Sequence, residues 1–182
     1  MALNQVTEIK GVQTSTIKVE SDRRGSFLKF EPAKLFGKYF DSTAISINPN
    51  PGTIRGLHFQ VEPFAEEKLI TCVQGAIFDV IVDLRENSET FGKWAFLELN
   101  AQNSLQIFLP KGVAHGFQTL LPDSIVHYVL GTAYAPDFSY SIDPFGDLDV
   151  SWPLAVHSIS KKDLSGIPFS VASQKYSNSL RS

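Results

Sequence analysis

Cysteine is almost absent from this sequence, which has one, Cys72, among 182 residues. A single cysteine cannot form a disulfide within the chain, so the fold does not depend on one. Cys72 lies in an apolar-rich run over residues 68–73, and a thiol in such a run fills core space more often than it acts as a nucleophile. We therefore expect Cys72 to be a core residue.

Long apolar runs are missing too. No stretch approaches the roughly 20 residues that a membrane-spanning helix needs, and residues 1–5 have neither the basic nor the apolar region of a signal peptide. Basic charge is not in excess either, since 16 Lys and Arg stand against 19 Asp and Glu. These features predict a cytoplasmic protein with no membrane partner and no general attraction to nucleic acid.

Apolar residues, by contrast, are plentiful at 43% of the chain, with 14 Phe, which is enough for the core of one domain over residues 1–182. Short apolar or alternating segments occur over 53–60, 67–74, 76–84, 94–99, 105–109, 115–121 and 124–130. This spacing predicts an all-β, antiparallel sandwich or barrel. Short helices are predicted near 32–40 and 160–164, and the Ser-rich residues 170–182 are predicted to be a frayed tail.

Two polar clusters interrupt these strands. Residues 54–60 carry Arg55 and His58 within an apolar run, and residues 109–117 carry His115. Apolar strands rarely bury an unpaired cation or imidazole, because such groups are costly to remove from water, so the clusters indicate a polar-lined pocket. Arg55 and His58 are an odd number of residues apart and would face opposite ways on a regular strand, so we predict a bulge at Gly56 that turns both inward.

The two clusters resemble the two sequence motifs of the cupin superfamily. The first motif runs over residues 52–75, and the second reads Pro-x-Gly-x-x-His over residues 110–115. The resemblance implies a small jelly roll. Metal-binding cupins have a second histidine in the first motif where this chain has Gln60, a poor metal ligand, so no metal site is predicted.

Within that superfamily the chain is similar to the dTDP-4-dehydrorhamnose 3,5-epimerase family from about residue 22 to residue 163. The matching segments are Arg24-Gly25, 55–60, Lys68-Leu69, 78–85, 90–94, 110–117, Tyr128, 134–136, Trp152-Pro153 and 160–163. The resemblance implies a homodimeric, cofactor-independent isomerase of deoxysugar nucleotide synthesis, of the kind used in the dTDP-rhamnose pathway and polysaccharide biosynthesis. Its implied substrate is a nucleoside diphosphate carrying a 4-keto-6-deoxyhexose, inverted at C3, C5 or both.

Inversion beside a ketone needs a base on one face, an acid on the other and a cation near the oxygen, because removing the proton from C3 or C5 leaves an enolate. By resemblance His58 is the base, since an imidazole accepts a proton near neutral pH, and Asp163 holds its ring. Lys68 is the implied stabiliser of the enolate oxygen. Tyr128 matches the family's acid.

Other matching residues are implied contacts to the substrate. Arg24 and Arg55 would bind the diphosphate, because guanidinium groups suit phosphate oxygens. His115 and Lys162 would line the sugar nucleotide site. Gln60 and Tyr134 complete the set of implied substrate-binding residues.

Three polar strand residues are not assigned to the site. His127 points away from the face on which Tyr128 lies. Asp79 and Asp83 share a face with apolar neighbours, and we expect them to be a partly buried, hydrogen-bonded structural pair.

The chain also departs from the family at five places. Lys29 replaces a usual Glu, 44–46 (Ala-Ile-Ser) replaces a Gln-x-Asn segment, Glu66 replaces Gln, Val129 replaces Lys and Ser139 replaces Glu. None of these changes removes the implied acid, base or cation. The cation at Lys29 and the apolar groups at 44–46 predict a changed nucleotide preference.

Two alternatives stay open on the sequence alone. One is a metal-dependent cupin oxygenase or isomerase that uses Gln60 as a ligand, for which metal analysis of the purified protein is the discriminating measurement. The other is a noncatalytic sugar-binding cupin, which predicts ligand binding without exchange of substrate protons with solvent.

Overall fold

Antiparallel strands dominate the chain in the computed structural model, which describes residues 8–32 and 40–181. The strands are β1 (Gln13–Thr16), β2 (Lys18–Asp22), β3 (Gly25–Lys29), β4 (Ser42–Asn48), β5 (Thr53–Gln60), β6 (Lys68–Gln74), β7 (Ala76–Asp83), β8 (Trp94–Asn100), β9 (Leu105–Leu109), β10 (Val113–Thr119), β11 (Ser124–Leu130), β12 (Ser139–Ser141) and β13 (Ser158–Ile159). A 3-10 turn spans Pro136–Phe138, and the helices α1 (Lys161–Leu164) and α2 (Phe169–Ser179) follow. The helix predicted near 32–40 falls on residues 33–39, outside the described ranges.

Two sheets face each other across the main core. One has the order β1-β9-β6-β11-β4, and the other has the order β12-β5-β10-β7-β8, with β13 added parallel to β5. Ile70 and Val126 of the first sheet pack with Ile77 and Phe117 of the second, all 0% exposed. The predicted all-β antiparallel sandwich with a few short helices is confirmed.

Alternation along the strands explains this layering. In β7, Ile77 and Ile81 enter the core between the sheets, while Val80 and Val82 belong to a second apolar cluster that includes residues of α2. Because side chains alternate along a strand, one segment supplies both cores. Cys72 is buried in the first of them, as expected, and burial raises the pKa of its thiol to about 12.

The C-terminal segment was predicted wrongly as a frayed tail. Residues 169–179 form α2, in which Ala172 and Tyr176 are 0% and 4% exposed and pack in the second cluster. Ala172 and Tyr176 are four residues apart and therefore lie on one side of a helix. The four serines of α2 concealed this apolar stripe. No helix within 8–32 or 40–181 is long and apolar enough to cross a membrane.

Candidate active site

A pocket of about 670 Å³ opens between the two sheets. Its walls include residues of β4, β6 and β11 from one sheet and of β5, β10 and β13 from the other. The predicted site residues that line it are His58, Lys68, Tyr128, Asp163, Arg55, His115, Tyr134 and Lys162. The fold therefore brings together side chains that are far apart in sequence.

A bulge in β5 turns both Arg55 and His58 into this pocket. His115 of β10 pairs with His58 and Phe117 pairs with Arg55, so three steps along β5 match two steps along β10. Gly56 has a φ of 106°, and a Cβ there would lie 2.7 Å from the carbonyl oxygen of His115. Only glycine suits both the positive φ and this close approach. The predicted bulge is confirmed.

His58 and Asp163 form a hydrogen-bonded pair in the pocket wall. Nε2 of His58 lies 2.6 Å from Oδ1 of Asp163, with the two side chains 40% and 5% exposed. The carboxylate also accepts hydrogen bonds from the Gly56 amide at 3.3 Å and the Ser141 hydroxyl at 3.1 Å. Ser160 caps α1 by accepting a hydrogen bond from the Asp163 amide at 3.0 Å. Together these contacts fix the carboxylate behind the imidazole.

The protonation state of this pair follows from the contacts. Burial raises the pKa of Asp163, but the hydrogen bond and charge interaction with His58 and the bond from the Gly56 amide outweigh it, so the pKa lies below its ordinary value. An ionised carboxylate only accepts hydrogen bonds, so Nε2 of His58 must carry the proton. When His58 is neutral, Nδ1 is then its basic atom, and no hydrogen bond to this atom is found among the described residues.

Lys68 enters the pocket from the opposite sheet, at the start of β6. Its side chain is 8% exposed and its ammonium lies 2.9 Å from the carboxylate of Glu66. The ammonium also donates to the carbonyl oxygen of His58 at 3.3 Å. A cation is therefore held in the pocket beside the backbone of His58, where a negative oxygen of a ligand could meet it.

Tyr128 lies on β11, next to β6 in the same sheet. Burial, followed by the negative charge of Asp79, raises the pKa of Tyr128 well above its ordinary value, so its hydroxyl keeps its proton at neutral pH. No residue of the described chain forms a hydrogen bond with this hydroxyl. Tyr128 can therefore donate a proton from the wall that faces His58.

A second histidine-carboxylate pair lies beside the first. Nε2 of His115 is 2.6 Å from Oδ1 of Asp79, and the side chains are 5% and 0% exposed. The ring of His115 meets that of Tyr128 edge to face, with centroids 6.1 Å apart. Burial raises the pKa of Asp79, and the charge of His115 only partly opposes this. Sequence reasoning missed this part of the site, because alternation showed only that Asp79 points inward.

Asp79 and Asp83 do not form the pair that was expected. Asp83 binds Arg85 at 2.7 Å and accepts hydrogen bonds from Ser88 and Thr90 at 2.6 Å each. Its structural, hydrogen-bonded role is as predicted. Asp79 is buried and hydrogen-bonded as expected, but its partner is a pocket histidine.

Two cations lie further along the pocket. Nε of Arg55 donates to Oδ1 of Asn48 at 2.8 Å, and Asn48, 1% exposed, also donates to the Ser124 carbonyl oxygen at 3.0 Å. Asn48 thus anchors Arg55, a role that its place beside a turn did not reveal. Lys162 lies 3.4 Å from the hydroxyl of Tyr134 and is exposed.

Arg24 and Gln60 do not line the pocket. Arg24 lies at the turn between β2 and β3, where its 85% exposed side chain pairs with Asp22 at 2.6 Å. Gln60 is 3% exposed, and its amide donates to the carbonyl oxygen of Phe64 and accepts from the Ala135 amide at 2.7 Å. The prediction of Gln60 as a substrate contact is therefore corrected: it ties down the backbone next to Tyr134.

The positions that depart from the family are divided between pocket and scaffold. Ala44, Ile45, Ser46, Glu66 and Ser139 line the pocket. Lys29 instead pairs with Glu31 at 3.6 Å, and Val129 is 8% exposed in a small apolar cluster. His127 lies 2.7 Å from the hydroxyl of Thr43 and is not a pocket residue, as predicted.

The donor set of the pocket does not fit a metal ion. Over the described residues, no group of three or more His, Cys, Asp or Glu side chains is arranged to hold one. Gln60, the ligand that a metal-dependent cupin would require here, already uses its amide oxygen for the Ala135 amide.

The family model described as dTDP-4-dehydrorhamnose 3,5-epimerase matches residues 6–170. A dTDP-4-dehydrorhamnose 3,5-epimerase from Sinorhizobium fredii is 39% identical over 153 residues, which cover 79% of this chain and 77% of that protein.

Solved structures give the same result. The crystal structure of dTDP-4-dehydrorhamnose 3,5-epimerase from Bacillus anthracis with TDP and PPi bound has a TM-score of 0.82 and 37% identity, covering 87% of this chain and 94% of that one. A 3'-monoepimerase from Streptomyces bikiniensis in complex with dTDP-quinovose has a TM-score of 0.83 and 28% identity, covering 91% and 87%.

Proposed function

The chain belongs to the dTDP-4-dehydrorhamnose 3,5-epimerase family and is an isomerase that epimerises a nucleotide 4-keto-6-deoxyhexose; we propose that His58, Lys68 and Tyr128 carry out the proton transfers. One observation carries this proposal: the His58–Asp163 pair and the protonated Tyr128 enter one pocket from opposite sheets. That arrangement suits removal of a proton from one face of the sugar and its return to the other.

The first step is removal of the C3 or C5 proton by Nδ1 of His58. The proton becomes part of an imidazolium, which ionised Asp163 stabilises, and the bonding electrons move onto the C4 oxygen as an enolate. The Lys68 ammonium, held beside His58, offers a charged donor to that oxygen. Tyr128 then donates its proton to the opposite face of the carbon, which inverts the centre.

The diphosphate is proposed to lie along Arg55 and Lys162, which line the same pocket. Ala44, Ile45 and Ser46 would then approach the nucleotide, and they offer mainly apolar surface in the pocket. We expect a weak preference among dTDP, UDP, GDP and CDP. Competition binding tests this, and much tighter binding of dTDP would overturn it.

A homodimer is the proposed assembly. The β2–β3 hairpin, with Phe27 65% exposed, and the edge strand β4, with Ile45 and Ile47 62% and 67% exposed, present apolar surface to solvent in the single chain. A twofold contact that covered them would remove this exposure and could bring Arg24 of one subunit to the pocket of the other. Light scattering at micromolar concentration should show a dimer.

Subunit mixing tests the role of Arg24 within that dimer. If Arg24 acts on the partner's pocket, inactive Arg24→Ala and inactive His58→Asn proteins should regain activity when they are unfolded, mixed and refolded together, because one pocket of each mixed dimer is then intact. If both residues serve the same subunit, mixing restores nothing.

Heavy-water NMR tests the catalytic proposal itself. With a 4-keto-6-deoxyhexose nucleotide, the enzyme should introduce deuterium at C3, C5 or both and produce the inverted sugar. Binding without exchange would instead support a noncatalytic sugar-binding cupin. We also propose a cytoplasmic location, as expected for an enzyme that uses an activated sugar nucleotide.

A further inference from the structure

Glu66 and Lys68 form a buried ion pair inside the pocket. Their charged groups are 2.9 Å apart, and their side chains are 10% and 8% exposed. The two residues are two positions apart, at and just before the start of β6, and both line the pocket. Glu66 is therefore part of the pocket wall.

The contacts of the Lys68 ammonium leave one position open. An ammonium has three N–H donors. One donates to the carbonyl oxygen of His58 at 3.3 Å, and the Glu66 carboxylate forms an ion pair with the ammonium at 2.9 Å. Among the described residues no further partner of the ammonium is found. These two contacts orient a side chain that otherwise rotates about a flexible stem.

We propose that Glu66 is a positioning residue for the reaction: its carboxylate holds the Lys68 ammonium so that the remaining N–H meets the C4 oxygen of the substrate. This inference rests on the proposed role of Lys68 as the cation beside the enolate. A charged hydrogen bond is about twice as strong as a neutral one, which suits a carboxylate to holding an ammonium in place. The carboxylate need not touch the substrate.

The expected kinetic signature is a fall in kcat with little change in KM. The ketone of the bound substrate is neutral, whereas the enolate oxygen carries charge, so a misplaced ammonium weakens the transition state more than the ground state. Displacing a catalytic group by about 1 Å can cost on the order of a hundredfold in rate.

Steady-state kinetics and heavy-water exchange on Glu66→Ala and Glu66→Gln test the proposal. For Glu66→Ala, kcat and the rate of deuterium uptake should fall about tenfold to a hundredfold while KM stays within about twofold. Glu66→Gln should lose about threefold to tenfold, because its amide oxygen still accepts a hydrogen bond. Unchanged kcat in both variants, or a raised KM with unchanged kcat, would overturn the proposal.

Glu62→Gln is the matched control. Glu62 pairs with Lys111 at 3.1 Å but does not line the pocket. Loss of this carboxylate should leave kcat and KM unchanged. An equal fall in kcat would mean that losing any glutamate-lysine pair disturbs the fold, and the specific role of Glu66 would be refuted.

A double-mutant cycle separates this inference from the role of Lys68. Glu66→Gln added to Lys68→Ala should cause no further loss, because a residue that acts through Lys68 has no effect once Lys68 is gone. A further loss refutes the inference alone. Near wild-type exchange by Lys68→Ala refutes the role of Lys68 and the inference with it. Glu66→Ala could fail to fold, because the buried Lys68 ammonium loses its counter-charge. In that case Glu66→Gln and the double-mutant cycle still decide.

Discussion

The pocket contains two histidine-carboxylate pairs with the same bond length and opposite surroundings. In each, Nε2 of histidine lies 2.6 Å from a carboxylate oxygen. The His58 ring is 40% exposed, whereas the His115 ring is 5% exposed. An imidazole that must take a proton from a substrate has to be reachable. The difference in exposure therefore suits His58 to proton abstraction, whereas it suits His115 to a fixed place in the pocket wall.

The carboxylates differ as much as the rings. Asp163 receives additional hydrogen bonds from the Gly56 amide and the Ser141 hydroxyl. For Asp79, Oδ2 is buried with no hydrogen-bond partner in the described chain. The pKa of Asp163 lies below its ordinary value, because the hydrogen bond and charge of His58 together with the Gly56 amide outweigh burial. The pKa of Asp79 lies above its ordinary value, because burial is the larger effect there and His115 only partly opposes it.

The buried pair also acts on Tyr128, the proposed acid. After burial, the negative charge of Asp79 is the next largest cause that raises the pKa of Tyr128. One pair thus supports the proposed base, and the other helps the Tyr128 phenol keep its proton. The two pairs lie side by side on neighbouring strands, and they differ in the group on which each acts.

The largest expected effect separates the two histidines. His58→Asn should lower both deuterium uptake and inversion by about a hundredfold to ten-thousandfold, the usual cost of losing a general base. His115→Asn should still exchange protons, with the loss mainly in KM. Heavy-water NMR together with steady-state kinetics measures both. If His115→Asn abolished exchange and His58→Asn did not, the assignment of the pairs would be reversed.

The next effect concerns the acid beside the buried pair. Tyr128→Phe keeps the ring against His115 but removes the donor, so inversion should fall about a hundredfold. Proton abstraction by His58 should continue, and deuterium should enter the substrate with retained configuration. NMR of the recovered sugar distinguishes the products. Inversion at the wild-type rate would remove Tyr128 from the mechanism and leave Tyr134 as the next candidate.

A third test compares the carboxylates through stability. Asp163 has a lowered pKa in the folded state, so its stabilisation is present above the ordinary carboxyl pKa and is lost as pH falls through the folded value. Asp163→Asn should therefore lower the free energy of unfolding by about 1 to 3 kcal/mol at neutral pH, the scale of a hydrogen bond to a charged group.

Asp79 should respond with the opposite sign. Its raised pKa means that stability falls as pH rises from the ordinary value through the folded value. Asp79→Asn should therefore cost little or no stability at neutral pH and flatten this dependence. Urea unfolding at neutral and mildly acid pH measures both variants. Equal destabilisation by the two substitutions would contradict the contrast between the sites.

The smallest expected effect comes from Ser141, which donates to Asp163 and has no counterpart at Oδ2 of Asp79. Ser141→Ala removes one donor, so the pKa of Asp163 should rise and its hold on imidazolium weaken. We expect kcat to fall about twofold to fivefold, within the roughly 0.5–1.5 kcal/mol of a single hydrogen bond.

Local pattern was sufficient for part of the candidate site. Alternation placed Tyr128 and His127 on opposite faces of β11, and the odd spacing of Arg55 and His58 required a bulge at Gly56; both are confirmed. Resemblance supplied chemical roles for His58, Lys68, Tyr128 and Asp163, which stay predictions until variants are measured. Pattern failed for α2, because its apolar stripe is short and its other residues are mostly serine and polar.

By itself, then, the sequence determined the strands, their alternating faces and the residue types able to move protons, because these depend on neighbours a few positions away. Only the tertiary structure decided which groups meet. His58 and Asp163 are 105 residues apart, and His115 and Asp79 are 36 apart. These contacts depend on strand register, on the bulge at Gly56 and on the depth of burial. These in turn decided that Asp163 is well supplied with donors, that Asp79 is not, and that Arg24 lies outside the pocket of its own chain.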